Sequence, residues 1–102
     1  IMTAKAKKLQ AFFEENEFIV HMEEGGESAE IETWTKGGVN MLFDLDPFTA
    51  EEFKQRVEDF DIDEEIDLHR EDKRYKAAFT ISQSVADFQA FKDYLEELAA
   101  KL

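Results

Sequence analysis

The sequence contains no cysteine. That excludes disulfides, thiol nucleophiles and cysteine-ligated zinc. Proline occurs once, at Pro47, and glycine only as the pairs Gly25-Gly26 and Gly37-Gly38. Breaks in regular structure are therefore few and easy to place. No apolar run approaches the roughly 20 residues of a membrane-spanning helix. The start of the chain has no leader-like apolar stretch, so neither a span nor a signal peptide is expected. Basic residues are scarce: 12 Lys and Arg stand against 25 Asp and Glu, a net charge of −13. A surface with that balance does not gather phosphates, so direct nucleic-acid binding is not expected. Anionic membranes would repel it. The expected location is the cytoplasm.

The 102 residues predict one domain, 1–102. Apolar residues make up 43% of the chain, ten of them Phe, enough for a core and against disorder despite the charge. Helical spacing of Leu9, Phe12 and Phe13 predicts a helix over 3–16. Three lysines begin it and Glu14-Glu15 end it, the wrong order for the helix dipole, so packing must hold it. Three alternating segments follow. Phe18, Val20 and Met22 share one face of the first. Ala29, Ile31 and Thr33 oppose Glu30, Glu32 and Trp34 in the second. Val39, Met41, Phe43 and Leu45 share a face of the third. Gly25-Gly26 and Lys36-Gly37-Gly38 are the intervening turns, so the three segments read as an antiparallel meander.

Pro47 closes the meander, and Thr49-Ala-Glu-Glu52 is a capping box that starts a helix at Ala50. Ala50, Phe53, Val57 and Phe60 form its apolar stripe. Asp61 or Asp63 caps a further helix through about residue 72. Tyr75, Ala78 and Phe79 suggest one or two more helical turns. Ser84 reads as the N-cap of a last helix over about 85–100, with Val85, Phe88, Phe91, Leu95, Leu98 and Leu102 as its seam. The expected fold is α+β: an N-terminal helix, a three-stranded antiparallel meander, then two to three C-terminal helices on one sheet face.

The negative charge is concentrated. Residues 44–72 carry thirteen acids against three bases, whereas residues 73–102 carry four against five. On a helix over 61–72, Ile62, Ile66 and His69 fall on one side. Asp63, Glu64, Asp67 and Glu71 fall within an arc of about 100° on the other. Asp63, Asp67 and Glu71 then repeat about every 6 Å, a step comparable to that between phosphates of a DNA strand. Each such like-charge pair costs about 0.2–0.5 kcal/mol. The plain alternative is that acids in a first turn suit the dipole and the rest is a solvated face.

Tests for chemistry give little. Asp59-x-Asp61-x-Asp63 suggests an EF-hand, but Glu64 stands where the loop needs Gly and Arg70 where it needs Glu. Only His21, in a strand, and His69, in a helix with Glu65 and Asp72 at helical spacing, offer imidazoles. No metal site and no cofactor are expected, beyond weak divalent-cation binding by clustered carboxylates. Ser82 and Ser84 read as capping residues. No Gly-x-Ser-x-Gly, phosphate loop or dinucleotide fingerprint occurs, so no catalytic activity is expected. Trp34, on a strand face with Glu30 and Glu32, is either an exposed interface anchor or covered by a terminal helix.

The meander at 17–45 and the acidic run Asp59 to Asp72 resemble, in architecture, the acidic anti-CRISPR proteins that block Cas9 by mimicking DNA. The run Phe60-Asp-Ile-Asp-Glu-Glu-Ile-Asp-Leu-His-Arg70 is also similar to small uncharacterised acidic proteins of bacterial mobile elements. The resemblance implies a bacterial phage, plasmid or conjugative setting and assigns no residue a role. The expected function is an acidic interaction module for a protein with a basic surface, in its sharpest form a DNA mimic. Asp59, Asp61, Asp63, Glu64, Asp67, Glu71, Asp72 and Trp34 are its expected contacts. The alternative is a structural or homo-oligomerising domain, leaving monomer and homodimer both open.

Overall fold

The computed structural model describes residues 2–35, 40–71 and 81–102, with side chains described outside 69–71 and 81–84. Helix α1 (Ala4–Glu15) leads into strands β1 (Ile19–Met22), β2 (Ala29–Trp34) and β3 (Asn40–Leu45). Helices α2 (Ala50–Glu58), α3 (Ile62–Glu71) and α4 (Ile81–Lys101) complete the described chain. The sheet is antiparallel in the order β1-β2-β3, so the fold is the expected α+β arrangement. No described helix is long and apolar enough to cross a membrane.

Strand alternation divides the sheet into two unlike faces. Ala29, Ile31, Met41, Phe43 and Leu45 point inward and are buried. They meet Leu9 and Phe13 of α1, Phe53 and Val57 of α2, Ile66 of α3, and Phe88, Phe91, Leu95 and Leu98 of α4 in one core. Aromatic rings knit the layers together. Phe43 stacks on Phe91 with centroids 6.1 Å apart, and Phe18 stacks on Tyr94 at 6.5 Å.

The helix starts follow their capping chemistry. Thr3 Oγ1 accepts from the Ala6 amide, and Thr49 Oγ1 accepts from the Glu52 amide, fixing α1 and α2 where the sequence predicts. Of the two candidate caps for α3, Asp61 does the work. Its Oδ1 accepts from the amides of Asp63 and Glu64 at 3.0 and 3.3 Å. The turn between β1 and β2 uses Gly25 and Gly26 at φ 90° and 72°, values that glycine reaches without penalty.

Helix α1 ends in a Schellman motif. The amide of Phe18 donates to Phe13 O and that of Glu17 to Glu14 O, while the rings of Phe13 and Phe18 pack 5.5 Å apart. The left-handed position of this motif, usually glycine, is held by Glu17 at φ 68°. Relieving that strain by Glu17→Gly is expected to stabilise the protein by about 0.5–1 kcal/mol. A urea midpoint at or below that of the parent would show that the position is unstrained.

Tyr94 crosses from α4 to the end of α1, where its hydroxyl donates to Asn16 O at 3.0 Å. Burial raises its pKa above the usual tyrosine value, and the nearby Glu17 and Glu97 carboxylates add to the shift. A raised folded-state pKa means stability that is complete below the ordinary value near 10 and lost as pH rises through the folded value. Tyr94→Phe is therefore expected to cost about 0.5–1.5 kcal/mol at neutral pH. The parent should lose more stability than this variant as pH rises past about 10. Urea titrations of both proteins across that range give the comparison, and parallel losses would contradict it.

The last helix corrects two expectations. It begins at Ile81 rather than 85, so Ser84 lies within the helix and is not its N-cap. Val85 is 47% exposed and outside the seam. At 100° per residue it lies about 100° from the centre of the stripe formed by Phe88, Phe91, Leu95 and Leu98, too far round to reach the core. The predicted turn at Lys36-Gly37-Gly38, the inward Val39, and the helical turns around Tyr75, Ala78 and Phe79 lie outside the described residues.

Candidate functional site

The candidate side chains fall on two surfaces. The first is α3 with the turn that precedes it. Ile66 is buried and Ile62 half-buried, which rolls the opposite side of the helix outward. Asp63, Glu64 and Asp67 are consequently exposed, as are Asp59 and Asp61 just before them. Asp63 and Asp67 are one turn apart, about 6 Å along the axis. Asp59 closes α2 and accepts a hydrogen bond from Gln55 Nε2 at 3.1 Å. Asp61 is committed to its cap, although both of its neighbours on the helix stay free to face a partner. Glu71 lies in the last turn of α3, with its side chain outside the described set, and Asp72 lies outside the described residues.

No ion pair among the described residues joins a basic side chain to Asp59, Asp61, Asp63, Glu64 or Asp67; the ion pair described lies elsewhere, between His21 and Glu32. The acids at the start of α3 sit where the helix dipole favours negative charge. One neighbour of these acids does not stand out in the sequence. Leu68 is 56% exposed one turn after Glu64, an apolar side chain among carboxylates. Its signal was available: on the helix it falls far from Ile62 and Ile66.

The second surface is the outer face of the sheet, which no described helix covers. Register places Ile19, Glu32 and Leu42 in one row across the three strands, and His21, Glu30 and Asp44 in the next. Ile19 and Leu42 are 48% and 51% exposed. His21 Nε2 stands 3.3 Å from Glu32 Oε2. Trp34, at the end of β2, is 59% exposed. It borders a cleft of about 140 Å³ with Asp87, Ala90 and Tyr94 of α4, so the last helix abuts this side chain without covering it. Trp34 thus belongs to the sheet layer and the acidic residues of α3 to the helical layer.

Compared with known proteins, the chain matches no family model, no curated protein and no solved structure. The functional reading therefore rests on these two surfaces alone.

Proposed function

We propose that this protein is a small acidic interaction module, without catalytic activity, that binds a basic surface on another protein. In the sharpest form of the proposal it occupies the nucleic-acid site of that partner, as a DNA mimic, in the cytoplasm of a bacterium carrying a mobile element. The observation that carries the reading is the outward row on α3. Asp63, Glu64 and Asp67 face solvent, no described basic side chain pairs with them, and the buried Ile66 fixes the helix from behind. Clustered charge of one sign speeds encounter with the opposite sign and sets which partners are rejected.

The test is capture of proteins from a bacterial lysate on the immobilised protein at low and high salt. The expected catch is a nucleic-acid-binding protein released by salt and displaced by duplex DNA. The Debye length falls from about 10 Å at 0.1 M to about 3 Å at 1 M salt, so screening grows and such an interface should weaken steeply across that range. A catch resistant to both salt and DNA would overturn the mimic reading.

A second reading has its own observation. Ile19, Leu42 and Trp34 are each about half exposed on the sheet layer, and large exposed side chains of this kind serve as interface anchors. In that reading the protein is a homo-oligomerising domain. Light scattering should then give a dimer mass unaffected by salt, and a monomer at high micromolar concentration would reject it.

A further inference from the structure

We propose that His21, Glu30 and Glu32 form a binding site for a divalent transition-metal ion of the Zn²⁺ type. The site is built by pairing rather than by sequence proximity. His21 comes from the edge strand β1, and both glutamates come from the central strand β2. The register sets His21 opposite Glu30, with Glu32 on the diagonal. All three side chains leave the sheet on its outer face. One ligand atom from each lies within 4.8 Å of the other two, and His21 Nε2 is already 3.3 Å from Glu32 Oε2. Donors bound to one zinc ion stand about 2.0–2.2 Å from it. Drawing three such atoms together takes rotation of side-chain ends and no movement of the strands.

The donor set defines the ion. Imidazole nitrogen suits zinc, copper, nickel and iron, whereas magnesium and calcium take oxygen ligands. Two carboxylates neutralise the double positive charge, and a fourth position is left for water. Asp44 lies directly across from Glu30 on β3. Like charges facing each other across a sheet are destabilising, and three carboxylates share this small area with one imidazole. A dication relieves that repulsion. Glu30 and Glu32 are half-buried, so their charges are screened less by salt than those of the exposed acids. The proposal departs from the expectation of no metal. It is independent of the α3 reading, because it uses none of the same residues and lies in the other layer.

The test is calorimetric titration of the chelator-stripped 102-residue chain with zinc chloride, with cobalt(II) absorption as a second readout. One ion per chain is expected, with the intense visible cobalt bands of a four-coordinate site and no displacement by excess magnesium or calcium. His21→Ala and the double variant Glu30→Gln/Glu32→Gln should each weaken zinc binding at least tenfold. His21 is exposed and Glu30 and Glu32 are half-buried, so circular dichroism of each variant is needed to check that it is folded. Asp63→Asn/Asp67→Asn should bind zinc like the parent. The proposal is overturned if His21→Ala binds zinc unchanged, if the α3 variant loses binding instead, or if His69→Ala abolishes it.

Discussion

Phe13→Ala is expected to destabilise the protein by about 3–5 kcal/mol, the range for removing a fully buried phenylalanine. Phe13 has no solvent exposure. Its ring meets Phe53 edge-on with centroids 4.9 Å apart, and Phe12, Phe18 and Phe48 at 5.7, 5.5 and 6.1 Å. Those partners come from α1 itself, the residue before β1, the entry to α2 and α2. One side chain therefore joins the first helix to both ends of the meander. Deleting it leaves a cavity that four rings from separate elements cannot close together. A protein of this size has about 5–15 kcal/mol in total, so the variant should sit near the edge of unfolding. Urea denaturation followed by circular dichroism measures the loss. A value under about 1 kcal/mol would mean that the cluster collapses around the gap. Phe13→Leu, which keeps most of the volume, should cost far less than the alanine variant.

Reversing the acidic row should abolish partner binding while leaving the fold intact. Asp63→Lys, Asp67→Lys and Glu71→Lys together take the net charge from −13 to −7. They replace an attractive surface by a repulsive one. Asp63 and Asp67 are exposed, so those two substitutions remove no packing. The expected cost to folding is confined to the dipole at the start of α3, about 0.3–1 kcal/mol for Asp63. The three lysines still repel one another at i, i+4, and the new i, i+3 pair of Glu64 with the lysine of Asp67→Lys returns part of the dipole cost. Association with the captured partner should fall by more than tenfold, chiefly through a slower on-rate, and lose its salt dependence. If the triple variant binds as before, the contact surface lies elsewhere, and the sheet layer around Trp34 becomes the place to look.

Much of this protein was legible before its structure. Local signals were enough wherever one residue type has one cheap conformation. Thr49 followed by Glu52 placed the start of α2, the glycine pair placed the first turn, and strict alternation assigned the inward face of each strand. Ser84 misled because a capping side chain is only a local preference. The helical run through Ile81 overrides it, and serine is tolerated inside a helix. Val85 misled because apolar character says nothing about angle, and its angle turns it to solvent. The left-handed Glu17 was invisible for the converse reason: the Phe13–Phe18 contact holds a conformation that Glu alone does not favour.

The sites divide in the same way. By itself the sequence determined the charge imbalance, its concentration in residues 44–72 and the amphipathic split of α3, because composition and a fixed helical period suffice for all three. Tertiary structure decided that Ile66 faces the core and so turns Asp63 and Asp67 outward. It also decided that Trp34 belongs to a different layer. The convergence of His21 with Glu30 and Glu32 needed the strand register. Centring the hairpin on Gly25-Gly26 pairs residue 21 with residue 30, so the signal was present. Alternation fixes only the face of a residue, however, and the side-chain approach of Glu32 across the diagonal exists only once β1 and β2 are paired and their inner face is buried against the helices.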